Sequence, residues 1–142
     1  MKYSVSAAAA LALIGCATTK PVSLYQTYTD YSQQMNSENV QQLAPAYFSP
    51  NLLPESFADT SVTQQLLFKN MMAKPLQHKE LVTGNTGCLA VVGQGKEQQP
   101  LQFNLAYSAK DDSWLIDQVH VVFLEQFTDL QTITNCAELF PG

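Results

Sequence analysis

A change of hydrophobic period near His78 constrains this chain more than any other feature. Before it, apolar residues recur at helical spacing. Leu24, Tyr28, Tyr31 and Met35 paint one stripe on a helix, while Gln26, Thr29, Asp30, Gln33 and Gln34 lie elsewhere. Asn36 and Ser37 can interrupt or cap. A second helical stretch carries Val40, Leu43, Ala44, Tyr47 and Phe48 until Ser49-Pro50, with Pro45 predicting a kink or an early end. After a loop holding Pro50 and Pro54, Ser61-Val62-Thr63-Gln64 fits a capping box for a third helix with Leu66, Leu67, Phe68, Met71 and Met72, closed before Pro75. From His78 onward the period is near two. Leu101, Phe103, Leu105 and Tyr107 alternate with Gln102, Asn104, Ala106 and Ser108, the pattern of a strand with one buried face. Leu89 to Val92 reads as a more fully buried strand, and Gly93-Gln94-Gly95-Lys96 and Lys110-Asp111-Asp112 as turns. Trp114 and Ile116 are out of phase with Val119, Val121 and Phe123, so a bulge near Asp117 and Gln118 is expected to bring all five to the core side. Three helices followed by a meander of about four strands predict an α+β fold, helices packed on one face of a curved antiparallel sheet.

The amino terminus reads as an address. Lys2 supplies a positive charge, Val5 to Ile14 a short apolar run, and Gly15-Cys16 close it; the run is too short to span a bilayer as a stable helix. Leu13-Ile14-Gly15-Cys16 resembles the bacterial lipobox, which implies a signal peptide over 1–15, removed after lipid is attached to Cys16. Acyl chains contribute about 0.8 kcal/mol per buried methylene, so such an anchor is effectively permanent. Ala17 follows Cys16 where inner-membrane retention favours Asp, so the resemblance implies an outer-membrane lipoprotein whose domain faces the periplasm. Residues 16–23 have the composition of a flexible tether, leaving 24–142 as one periplasmic domain.

With Cys16 acylated, Cys88 and Cys136 remain in a compartment that permits disulfides. A bridge between them would close a loop of roughly fifty residues, worth about 4 kcal/mol in the chain-entropy model, and staple the tail to the sheet. The alternative is that Cys88, flanked by Leu89 and Ala90, is a buried thiol. Neither CxxC nor HxxxH spacing occurs, so no metal or other cofactor is expected. All seven basic residues are Lys and the net charge is −5, one unit more negative once Lys2 leaves. Nucleic acid is therefore not an expected partner, and the planar fork that grips carboxylates and phosphates is missing.

The helix pair broken at Asn36-Ser37-Glu38-Asn39-Val40, the ending Tyr47-Phe48-Ser49-Pro50 and the strand Ser113-Trp114-Leu115-Ile116-Asp117 are similar to the nuclear transport factor 2-like, or SnoaL-like, superfamily across most of residues 24 to 124. The resemblance implies a bent sheet wrapped around a helix to make a conical pocket. It does not choose a function, because that superfamily holds isomerases, cyclases, dehydratases and noncatalytic binding domains.

An isomerase would need a carboxylate or His base in an apolar pocket beside a Tyr. Asp117, His120, His78, Tyr47 and Tyr107 are the available types. Asp117 reads as strand surface at the bulge, His120 lies opposite Val119 and Val121 in phase, and His78 has no partner in sequence. Tyr25, Tyr28 and Tyr31 could stack a ligand, but their helical spacing fits core packing; Met71 and Met72 suit either core or an adaptable partner surface. No catalytic set emerges. The first expectation is a noncatalytic envelope lipoprotein that binds another envelope protein, with a homo-oligomer left open. The second is a pocket for a small apolar ligand lined by Phe103, Leu105, Tyr107 and Trp114, and the third an isomerase or dehydratase using Asp117 or His120. Residues 125–142 lie beyond the resemblance, as an added strand, a short helix or a partner-binding arm held by Cys136.

Overall fold

The computed structural model describes residues 22–53 and 60–141. The expected signal segment, Cys16, the expected tether up to residue 21 and Pro54 lie outside the described residues. Helix α1 (Leu24–Gln34) is capped by Ser23, whose Oγ accepts from the Gln26 N–H at 3.0 Å. Ser23 therefore belongs to the domain rather than to the tether. The Leu24 and Tyr25 N–H groups donate to the Glu80 carboxylate at 2.9 and 3.3 Å. The positive end of the helix thus rests on a carboxylate supplied from the sheet. The break before α2 (Val40–Tyr47) is a reciprocal pair: Asn36 Oδ1 accepts from the Glu38 and Asn39 N–H groups, and Asn39 Oδ1 from the Asn36 N–H.

Pro45 does not end α2 early. The helix runs two residues beyond it and stops at Phe48, which turns extended and bridges Ile116. The expected third helix divides into α3 (Thr60–Leu66) and a 3-10 turn, Phe68–Met71. Leu66, Leu67 and Phe68 are all buried, and three consecutive residues at 100° steps cannot share one face of an α-helix. The helix also starts one residue ahead of Ser61, which sits inside it rather than at its cap.

Strands β1 (Lys74–Thr83), β2 (Thr86–Gln94), β3 (Pro100–Lys110) and β4 (Ser113–Phe123) form one antiparallel meander in that order. The fold is α+β, helices first and a curved sheet after. β1 begins four residues before His78 and joins β2 through a two-residue turn in which Gly84 takes φ 61°. In β4, Gln118 pairs with Ala106 and Ile116 with Tyr107, leaving Asp117 as the extra residue of a bulge. The bulge brings Ile116, Val119 and Val121 to the helix side. Phe123 shares that phase but is 71 % exposed, because the helices do not reach it.

Both faces of the sheet are covered. On the helix face, Leu89, Val91, Leu101, Phe103, Leu105, Tyr107 and Ile116 pack against Leu24, Tyr28, Tyr31, Met35, Val40, Ala44 and Phe48. Tyr31 packs edge-on against Phe48 and stacks on Phe68, and its hydroxyl donates to the Leu66 carbonyl. The opposite face is covered by the tail, which is a strap rather than an added strand, with one short 3-10 turn, Cys136–Leu139. Ile133 is buried there with Cys88 and Ala90, flanked by Leu81, Leu130 and Phe140. A disulfide joins Cys88 to Cys136. Gln77 holds the strap from the β1 edge, donating to Asp129 at 2.7 Å and accepting from the Leu130 N–H at 3.0 Å; Asn104 Nδ2 donates to the Leu139 carbonyl at 3.0 Å.

Candidate functional site

Asp117 and His78 are used structurally, and the candidate bases are not brought together. Asp117 Oδ1 accepts from Ser49 Oγ at 2.6 Å and Asn51 Nδ2 at 3.0 Å, while the Ser49 N–H donates to the Ile116 carbonyl at 2.8 Å. The bulge thus aims this carboxylate at the loop after α2 and pins it, not into an apolar chamber. His120 pairs in register with Asn104 on the tail face, so the sheet separates it from Tyr107. His78 lies mid-strand in β1 on the helix side, stacked on Tyr25 with ring centroids 3.6 Å apart. Tyr47 donates to Asp30 at 2.9 Å; burial first, then that carboxylate, pushes its hydroxyl up to about 12.

The pocket reading of Phe103, Leu105 and Tyr107 needs correction. All three are packed in the core, because α1 lays Tyr28 and Tyr31 over the strand and fills the space a cone would leave. Burial raises the hydroxyls of Tyr28, Tyr31 and Tyr107 well above the usual tyrosine range. Tyr107 Oη finds no protein hydrogen-bond partner among the described residues. Trp114 is the exception among the four: it lines a polar cleft of about 400 Å³ with Asp30, Tyr47, Asp112 and Gln26.

A larger opening lies elsewhere. Between β4 and the α3 segment runs a groove of about 580 Å³, its apolar wall made by Leu52, Val62, Leu66, Leu67, Phe68, Met71, Val119 and Val121. Ser37, Gln64, Gln65 and Asn70 supply its polar groups, and among the described residues no charged side chain lines it. Asn70 and Met71 also line a neighbouring opening of about 470 Å³ that includes Phe123. The two adjacent methionines divide their labour: Met72 is buried against the core while Met71 is exposed between the openings. Of this site the sequence flagged only Met71, and only together with Met72 as either core or an adaptable partner surface. Lys69, beside the groove, donates from Nζ to the Ser32 carbonyl at 2.6 Å, and burial lowers its pKa.

Among the described residues no group of three or more His, Cys, Asp or Glu could hold a metal, and no helix is long and apolar enough to cross a membrane. No family model, curated protein or solved structure matches this chain.

Proposed function

We propose that this chain is a lipid-anchored envelope protein whose domain docks other protein, not a catalyst. The observation that carries the reading is the groove beside β4, uncharged among the described residues, which adjoins at Met71 a second opening where Lys96 and Glu97 flank the exposed ring of Phe123. An apolar lining with scattered amides, and no charge among the described residues, suits an apolar protein segment whose backbone needs hydrogen-bond partners. Lipidation at Cys16 and an outer-membrane, periplasm-facing location rest on the lipobox resemblance; the Cys88–Cys136 disulfide supports an oxidising compartment. The superfamily resemblance is compatible with the order of elements but contributes no site.

The test is a photoreactive side chain at Val62 in the full-length chain, irradiated in native membranes. One protein adduct of defined mass, lost with Met71→Glu, is expected. The groove volume also falls within the range of small-ligand sites, roughly 300–1,000 Å³, which keeps an apolar small molecule as the second reading. A retained mass of a few hundred daltons in a native mass spectrum, with no protein adduct, would replace the first reading by the second.

A further inference from the structure

We propose that the β4 edge pairs with β4 of a second copy of this chain, strand against strand. This deepens the docking reading above and rests on it. The two edges of the sheet are built differently. β1 carries Lys74, Pro75, a register slip between Pro75 and Gln77, and Lys79, all features that oppose strand addition. β4 from Val119 to Phe123 has no Lys, no Pro and no bulge. Upstream, Ser49 already occupies the edge through its bond to the Ile116 carbonyl.

The backbone of this stretch is oriented to accept a strand. The Leu124 N–H donates to the Pro100 carbonyl at 3.3 Å, so His120, Val122 and Leu124 turn their backbone groups toward β3. Val119, Val121 and Phe123 therefore turn theirs outward, and among the described residues nothing bonds to them. A row of free N–H and C=O groups calls for an extended chain, not a helix or a small apolar molecule.

The side chains point to a second copy. Phe123 is 71 % exposed, and Val121 is a wall of the groove. Antiparallel pairing about a two-fold axis at Val122 sets Phe123 opposite Val121 of the partner subunit on the helix face, and the symmetry repeats the contact. Each ring then reaches the other copy's groove. His120–Leu124 contains no Asp, Glu or Lys, so two acidic copies meet there without opposing like charges. Centring the axis on Val121 instead would oppose Asp117 and Glu125, which selects the Val122 register.

The experiment uses the full-length chain in native membranes with Val122→Cys. In the proposed register the two Val122 positions form a non-hydrogen-bonded pair with Cα atoms about 4.5 Å apart, within disulfide reach. Non-reducing electrophoresis should move most of the chain to twice its mass, above the background set by the parent with its own three cysteines. Val82→Cys, on exposed β1, should not dimerise, and adding Phe123→Lys to Val122→Cys should cut the dimer roughly tenfold, about 1.4 kcal/mol. A Val122→Cys chain that stays single, or a Val82→Cys chain that dimerises as well, overturns the proposal. Sedimentation of the unmodified chain in detergent is the independent measure: a dimer that Phe123→Lys dissociates supports self-pairing, and a monomer in both overturns it. A monomer that still gives the Val62 adduct with a different protein would end self-pairing while leaving the docking reading standing.

Discussion

The helix face and the tail face of the sheet are both covered, but by different physics. On the helix face, rings and branched chains interlock across three strands, β2 to β4, and several helical elements, with Tyr31 touching Phe48, Phe68 and the Leu66 carbonyl at once. On the tail face, a short apolar cluster, a few amide bonds and one disulfide hold an otherwise exposed strap. β2 shows the contrast within a single strand: Leu89 and Val91 enter the first cluster, Cys88 and Ala90 the second. One face is closed by shape, the other mainly by a covalent bond. Stability of the fold should accordingly reside on the helix face, with the strap separable from it.

The largest effect expected is from Phe103→Ala, which should lower unfolding free energy by about 3–5 kcal/mol as a single cooperative transition in denaturant melts. Replacing Cys88 and Cys136 together by Ser should cost about 2–4 kcal/mol, and limited proteolysis should then cut the tail first while the sheet stays protected. A matched tyrosine pair sharpens the comparison within the helix face. Tyr31→Phe forfeits a buried hydrogen bond and should lose about 1 kcal/mol, whereas Tyr107→Phe removes a hydroxyl with no protein partner and should leave the melt unchanged or raise it. At neutral pH the smallest effect is that of tyrosine ionisation, which enters only in alkali. Burial raises the Tyr28, Tyr31 and Tyr107 hydroxyls, so the folded chain holds those protons more tightly than the unfolded chain. Their contribution is complete below the unfolded value near pH 10 and is lost as pH rises toward the folded values, and Tyr28→Phe should flatten that alkaline decline.

The parts legible in the sequence are those a single strand or helix decides alone. The Leu24, Tyr28, Tyr31, Met35 stripe and the Leu101 to Tyr107 alternation each follow from one buried face. The phase change after Ile116 could be resolved only by a bulge, and Asp117 provides it. β1 is hidden because it is an edge strand exposed along most of its length, so no apolar alternation marks it; Gly84-Asn85 was the available turn signal. Glu80 could not be read as the cap of α1, since the two are 56 residues apart. The groove is illegible for the same reason, joining Leu52, Val62, Met71 and Val121 from four separate segments. The cone was misplaced because the alternation of Phe103, Leu105 and Tyr107 says which face they occupy, not whether a helix fills the space above them.

Hydrogen exchange on the full-length chain, with and without the two Ser replacements at Cys88 and Cys136, tests the two-face construction most directly. If the helix face alone carries the fold, amides of residues 124–141 should lose protection while those of α1, β2 and β3 keep it within a few-fold. Simultaneous loss across α1, β2 and β3 would contradict it, and would mean that the strap is part of the one cooperative core.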